Sequence, residues 1–238
     1  IPLPPLPVQQ ELVTRLDKQQ AIIEQCNAME KTILEAGIDD SIFEGDWEWV
    51  ELPDVVEINP ESMNPENEPE KEFIYIDISS VDNKTFTITD YKFISGKNAP
   101  SRARRVVKIG DVLISTVRPN LKSFCIIDDE RFNNQICSTG FAVLRSKNEV
   151  ILPRFLFFYV LSDIFVSELT KLMEKSQYPS ITQTDLSYIK VPLPPIEKQQ
   201  KIVDFLNVQF ETLINIRRLK ENAKQTIKMI LDREVFGE

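Results

Sequence analysis

The sequence predicts an α+β fold in which a mixed β-sheet domain lies between two long helices. Three observations predict it. Two segments carry apolar residues at alternating three- and four-residue steps, the period of a helical stripe. Between them lie short runs rich in β-branched and aromatic residues, without the regular alternation of strand and helix that marks a parallel α/β sheet. The opening segment IPLPPLPVQQELVTRLDKQQ also recurs 190 residues later as VPLPPIEKQQKIVDFLNVQF, with nine of twenty positions identical. Aligned glutamines (Gln9/Gln199, Gln10/Gln200) and apolar residues (Val13/Val203, Leu16/Leu206) exceed what shared proline content explains.

At its second occurrence the motif closes a domain and opens a helix, where proline in the first turn is favoured because its missing N–H had no partner there. The repeat therefore predicts that residues 1–6 end a preceding domain, in a parent chain ordered domain–helix–domain–helix. The first helix is expected from about Pro7 to Ala36, with a stripe of Leu12, Leu16, Gln19, Ile23, Cys26, Met29 and Ile33, and Gly37 stops it. Strands are expected at Phe73–Ile78, Thr85–Thr89, Val106–Ile109, Val112–Val117, Phe124–Ile127 and Phe141–Leu144. Pro153–Met173, rich in phenylalanine, reads as one buried helix. Thr182 and Asp185 have capping-box spacing, and Tyr188–Leu193 returns as a strand. The second helix is expected over about Ile196–Phe236, with Val203, Leu206, Phe210, Leu213, Arg217, Lys220, Ala223, Ile227 and Ile230 in its stripe. Roughly 40 residues at ~1.5 Å each give a helix ~60 Å long, more than a domain of this size can cover, so the two stripes are expected to pair in a coiled-coil seam. The chain thus divides into 1–41, the end of a repeat plus the first helix; 42–190, the globular domain; and 191–238, the second helix.

Composition narrows the chemistry. The 238 residues are 42% hydrophobic and 27% charged, a globular balance, and no apolar run approaches the ~20 residues of a membrane span. A soluble, cytoplasmic protein is expected. Histidine is absent, which removes imidazole acid–base catalysis and histidine metal sites. The three cysteines, Cys26, Cys125 and Cys137, are too few and too scattered for a disulfide framework or zinc site. The six glycines are isolated, so no glycine-rich phosphate loop exists. No Asp-Pro-Pro-Tyr-like amino-methyltransferase motif occurs, and a nuclease pattern can be forced from Asp54, Asp82 and Lys84 only loosely. The chain is expected not to be an enzyme, with no catalytic residue and no metal site.

The net charge is −9, but it is segregated. Residues 39–70 carry twelve acidic side chains and no basic one, and are expected to form a solvated loop facing away from DNA or towards a basic partner. Residues 91–122 carry eight basic side chains against Asp111 alone. A basic stretch in an acidic protein is the electrostatic footprint of a phosphate-contacting face, although a solvated loop with scattered lysines has the same composition. Phosphate contacts are assigned to Arg102, Arg104, Arg105, Lys108, Arg118 and Lys122, and base contacts to flanking residues including Lys97, Asn98 and Ser101. Asn98, Asn120 and Gln177 offer amides for adenine-type contacts. The Gln177-Tyr178-Pro179-Ser180 loop is a second candidate, and equally an ordinary tight connection. Asp111 reads as structural.

Several stretches together resemble the DNA specificity subunits of type I restriction–modification systems. They are Trp47-Glu48-Trp49-Val50 with Leu52; Phe73-Ile74-Tyr75-Ile76-Asp77-Ile78; Pro100-Ser101-Arg102-Ala103-Arg104-Arg105; the run Gly110 to Pro119 (GDVLISTVRP); Ser138-Thr139-Gly140-Phe141; and Val191-Pro192-Leu193-Pro194-Pro195 with Gln199, Gln200 and Ile202. The resemblance implies two target-recognition domains, each followed by a long helix, with the helices packed as an antiparallel coiled coil that spaces the domains. Each domain would read one half of a split DNA target. The helices would dock methyltransferase subunits, and a restriction/translocase subunit would join them. It implies no cofactor in this chain, with S-adenosylmethionine, ATP and Mg2+ belonging to the partner subunits. The chain would be the central helix, the second recognition domain and the final helix. Two other readings fit the sequence: a coiled-coil assembly scaffold that does not bind DNA, and the specificity part of a fused methyltransferase polypeptide.

Overall fold

The computed structural model of the chain describes residues 5–147, 149–174 and 179–233. In chain order its elements are α1 (Leu6–Ala36), β1 (Glu48–Glu51), α2 (Leu52–Val55), β2 (Val56–Ile58), β3 (Glu72–Ile76), β4 (Val81–Asp82), β5 (Thr87–Ile88), β6 (Lys92–Ser95), β7 (Ala103–Val107), β8 (Val112–Ser115), β9 (Phe124–Ile126), β10 (Gln135–Ser138) and β11 (Phe141–Ser146). There follow α3 (Pro153–Leu161), α4 (Asp163–Glu174), α5 (Gln183–Ser187), β12 (Lys190–Leu193) and α6 (Ile196–Leu231). They form two compact units, one of Ile1–Gly37 with Asn207–Glu238 and one of Ile38–Leu206.

The first unit is the helix pair. Helix α1 starts after Pro5, with a proline in its first turn, and ends at Gly37, whose φ of 61° is the left-handed conformation glycine takes without strain. The Gly37 N–H closes the last turn on the Ile33 carbonyl at 3.2 Å. Leu12 and Cys26 on α1, and Leu213, Ile216, Ala223 and Ile230 on α6, are buried. At one level Glu30 holds both Arg217 (Nε, 2.8 Å) and Lys220 (Nζ, 2.9 Å). Burial on both sides of this ion pair sets the direction. In a parallel pair Ile230 would lie opposite residue 40, past the end of α1, whereas in an antiparallel pair it lies beside the Leu16–Gln19 turn. The helices are therefore antiparallel, and residues on the seam alternate in three- and four-residue steps. Met29, expected in the seam, is 52% exposed. Its neighbour Glu30 takes the inward place, because two cations on the facing helix supply what a buried carboxylate needs.

The second unit is built on two four-stranded sheets, ordered β6-β3-β10-β7 and β2-β11-β8-β9, with two-stranded pairs β1-β12 and β4-β5. The first sheet is mixed: β10 runs parallel to β3 and antiparallel to β7. Ile76, Val107, Leu113, Cys125, Cys137, Phe141 and Val143 join strands from both sheets in one apolar cluster. Helix α3 is buried along its whole length from Phe155 to Leu161. Tyr159 is its polar handle: it packs edge-on against Phe43 and Phe165, and its hydroxyl donates to the Lys190 carbonyl at 2.8 Å.

The single helix expected over Pro153–Met173 is two helices, broken at Ser162. The Ser162 hydroxyl turns back to the Tyr159 carbonyl (2.6 Å) and accepts from Phe165 N (3.2 Å), while the Asp40 carboxylate accepts from Asp163 N and Ile164 N at the start of α4. A carboxylate on free N–H groups at a helix start is favourable, and here it comes from far away in sequence. The acidic segment also departs from expectation. It is not a loop facing away: it supplies β1, α2 and β2 and buries Phe43, Leu52, Val55 and Val56. Its residues 61–63 run along β7, with Met63 N donating to Arg104 O (2.8 Å) and Val106 N to Glu61 O (3.1 Å). Glu61 of this stretch meets Lys108 and Arg145, while Met63 packs against the apolar cluster of Phe73, Tyr75, Ala103 and Ile136.

Candidate nucleic-acid interface

Strand β7 carries the arginine cluster at one edge of its sheet. Successive strand residues face opposite sides, so Arg104 and Arg105 diverge. Arg105 pairs in register with Cys137 and points towards the apolar side. Burial there lowers its pKa, and its Nη1 is buried without a hydrogen-bond partner. Arg104 is half-buried and donates from Nη1 to the Ala103 carbonyl (3.1 Å). Ser101 and Arg102, just before the strand, are exposed.

The other predicted residues divide by their partners. Lys97 meets Glu70 at 3.2 Å, Lys108 meets Glu61 at 2.6 Å, and Lys122 meets Asp163 at 2.8 Å and the Leu161 carbonyl at 3.0 Å. These lysines are neutralised within the fold. Asn98 donates to Ser95 Oγ (2.9 Å), which ties it to its own turn. Gly96 beside it has no room for a Cβ, because the Pro65 and Glu68 carbonyl oxygens occupy that space. Gln177 and Tyr178 lie outside the described residues. Lys92, Arg102, Arg104, Arg105 and Arg118 form no ion pair among the described residues.

Arg118 and Asn120 are exposed in the loop after β8. Arg118 (φ 48°) and Lys122 (φ 53°) both take left-handed backbone, uncommon for such residues and a mark of a loop held in shape by its surroundings. The hold is visible: Arg118 N donates to Pro179 O (2.8 Å), and the Lys122 ammonium anchors the far end.

One turn brings the two exposed arginines to the same end of the domain. Thr139 and Gly140 connect β10 to β11; Thr139 N donates to Arg102 O at 2.8 Å, and Gly140 O accepts from Thr116 N at 2.8 Å and Thr116 Oγ1 at 2.9 Å. Arg102 and Arg118 thus flank the turn that carries the chain from one sheet to the other, with exposed Ser101, Thr139 and Asn120 between and beside them. Thr139 was not among the contact residues expected from the sequence, although Ser138-Thr139-Gly140-Phe141 is one of the stretches that carry the resemblance. Gly140 leaves little space at the turn, since a Cβ there would meet the end of the Ile78 side chain at 2.7 Å and require it to shift.

Asp111 is structural. It is wholly buried, accepts from Lys108 N (2.8 Å), and holds Arg145 through Nε (2.9 Å) and Nη2 (2.8 Å). Glu61 also reaches Arg145 and is held below the usual carboxylate range chiefly by its hydrogen bond to Lys108. Cys125 and Cys137 are buried thiols whose pKa values are pushed up by loss of solvent. Among the described residues no group of three or more Cys, Asp or Glu side chains is placed to hold a metal ion, and no helix is long and apolar enough to cross a membrane.

Residues 44–228 match the family described as the type I restriction modification DNA specificity domain. The specificity subunit of the type I restriction enzyme HindI from Haemophilus influenzae is 28% identical over 163 residues, covering 65% of this chain and 34% of that protein. A solved chain from a type I R-M system superposes with a TM-score of 0.66 at 37% identity, covering 79% of this chain and 48% of that one. The HsdS subunit from Thermoanaerobacter tengcongensis gives 0.65 at 35% identity, covering 81% and 50%. The chain therefore spans about a third to a half of the length of these relatives.

Proposed function

Because the chain belongs to the DNA specificity family of type I restriction–modification systems, we propose that it reads one half of a bipartite DNA target and brings methyltransferase and restriction subunits to it. Residues 42–190 are the reading domain. The helix pair is the spacer and the rod on which the other subunits dock. The chain itself is non-catalytic, acts in the cytoplasm, and leaves S-adenosylmethionine, ATP and Mg2+ to its partners.

One observation carries this reading. In a protein of net charge −9, Arg102 and Arg118 stand exposed on either side of one inter-strand turn, with no carboxylate partner among the described residues. Surface arginines left unneutralised are suited to phosphate and guanine, which they meet bidentately. Lys97, Lys108 and Lys122 would contribute only by exchanging a carboxylate for a phosphate. The exposed apolar residues of the helices support docking: Val13, Met29 and Leu34 on α1, and Phe205, Val208 and Met229 on α6. A scaffold that does not bind DNA would use those residues and leave the arginines without a role.

Exchanging residues 42–190 for the corresponding segment of another specificity subunit tests the reading. Methylation mapping should then show one changed half-site, with the other half and the spacing retained. An unchanged methylation pattern would rule the reading out.

A further inference from the structure

Resting on that reading, we infer that Leu121 is a specificity-determining residue, whose side chain packs on the methyl group of a thymine in the major groove beside the contact made by Arg118.

The loop from Val117 to Lys122 presents apolar side chains to solvent on a backbone that is tied down along its length. Leu121 is 51% exposed and Val117 40%, and Arg118 and Asn120 between them are exposed too. Pro119 is buried and seats the loop on the domain. Leu121 N donates to Arg118 O at 2.9 Å, and Lys122 N to Pro119 O at 2.9 Å. Arg118 and Leu121 therefore stand at the two ends of one tight turn, within about 7 Å of each other. The turn is also held from outside: Arg118 N donates to Pro179 O, and Leu121 O accepts from Asn83 Nδ2 at 2.9 Å. Left-handed backbone at Arg118 and Lys122 costs energy that these bonds must offset. A lone exposed leucine needs no explanation. This one is fixed at the end of a strained turn, beside an arginine with no ion pair among the described residues. A phosphate offers nothing to an apolar side chain. In the major groove guanine presents acceptors to an arginine, and thymine alone of the four bases presents a methyl group. The pairing of Arg118 with Leu121 thus fits base edges better than backbone.

The test removes the methyl group from the DNA and the leucine from the protein in turn. In duplexes carrying the mapped target, each thymine of the half-site assigned by the domain exchange is replaced singly by deoxyuridine, which deletes one methyl group and keeps the base pair. The assembled methyltransferase complex should lose affinity about four-fold at one of these positions, the worth of one methyl group taken out of water. With Leu121→Ala the complex should bind the unmodified duplex more weakly and lose nothing further at that position, while the other positions respond as in the parent. Should Leu121→Ala not fold, Leu121→Gln, similar in size and polar at its end, is judged by the same criteria. A half-site without thymine in either strand overturns the inference, as does equal sensitivity of parent and variant at every thymine. The domain exchange judges the underlying reading by itself. If it changes the half-site and the deoxyuridine series shows no coupling to Leu121, recognition stands and the role of Leu121 falls; if it changes nothing, the reading fails first.

Discussion

Replacing Glu30 by alanine tests the physics of the helix pair. The Glu30 carboxylate is 14% exposed and meets Arg217, 15% exposed, and Lys220, 24% exposed. Two Arg217 nitrogens, Nη1 and Nη2, are already buried without hydrogen-bond partners. Removing Glu30 leaves two cations in a seam with no anion, and truncating one member of such a buried pair costs about 3–5 kcal/mol. At roughly 2–4 °C per kcal/mol for a chain of this size, the helix-pair transition should fall by about 6–20 °C. The triple change Glu30→Leu, Arg217→Leu, Lys220→Leu should be neutral or stabilising by about 1–4 kcal/mol, because it removes the desolvation cost with the charges. The pH dependence has a definite sign. The hydrogen bond from Lys220, with Arg217 beside it, holds the folded-state pKa of Glu30 below its unfolded value. The pair therefore contributes fully above the unfolded carboxylate pKa of about 4.5, and that contribution is lost as pH falls through the lower, folded value. Urea unfolding followed by helical circular dichroism at pH 7 and pH 3 measures both effects. A loss below 1 kcal/mol for Glu30→Ala at pH 7 would refute the reasoning, since the pair would then behave as a solvated surface bridge.

Three further outcomes are expected. Asp111→Ala should cost about 3–5 kcal/mol, read as a lower urea midpoint, because it strands the half-buried Arg145 guanidinium; a shift within error would mean that Glu61 alone neutralises Arg145. Gly96→Ala should cost about 1–3 kcal/mol by overpacking against the Pro65 and Glu68 carbonyls, with faster amide exchange over residues 65–71 as its local sign. Cys125 and Cys137 should stay unreactive towards a thiol reagent at pH 8 and react only on unfolding, since burial disfavours both thiolates; rapid native-state labelling of either would contradict the packing of the two-sheet core.

The parts of the fold that follow from local pattern were readable in the sequence, and those that depend on distant partners were not. The stripes on α1 and α6 repeat over many turns, so both helices and most of their seam follow from spacing. The exception at Met29 arises because Glu30 is buried by Arg217 and Lys220, about 190 residues away. Strands β3, β8, β9 and β11 carry dense β-branched and aromatic residues. Strands β6 (Lys-Phe-Ile-Ser) and β10 (Gln-Ile-Cys-Ser) are short and half polar, and exist because neighbouring strands complete their hydrogen bonds. The break at Ser162 depends on Asp40, and the fate of the acidic segment depends on the edge of β7. At the candidate site the arginines were visible as a cluster, but their division was not. Register decides that Arg105 turns towards the core, and distant carboxylates decide that Lys97, Lys108 and Lys122 are already paired.

The most direct test of DNA reading is the salt dependence of duplex binding by the assembled methyltransferase complex, with and without Arg102→Ala plus Arg118→Ala. If each arginine neutralises one phosphate, the slope of log affinity against log salt should flatten by about 1.8, at about 0.9 per contact, and target affinity should fall while subunit assembly is unchanged. A variant complex with the parent's slope and affinity would place the DNA on some other face of the domain.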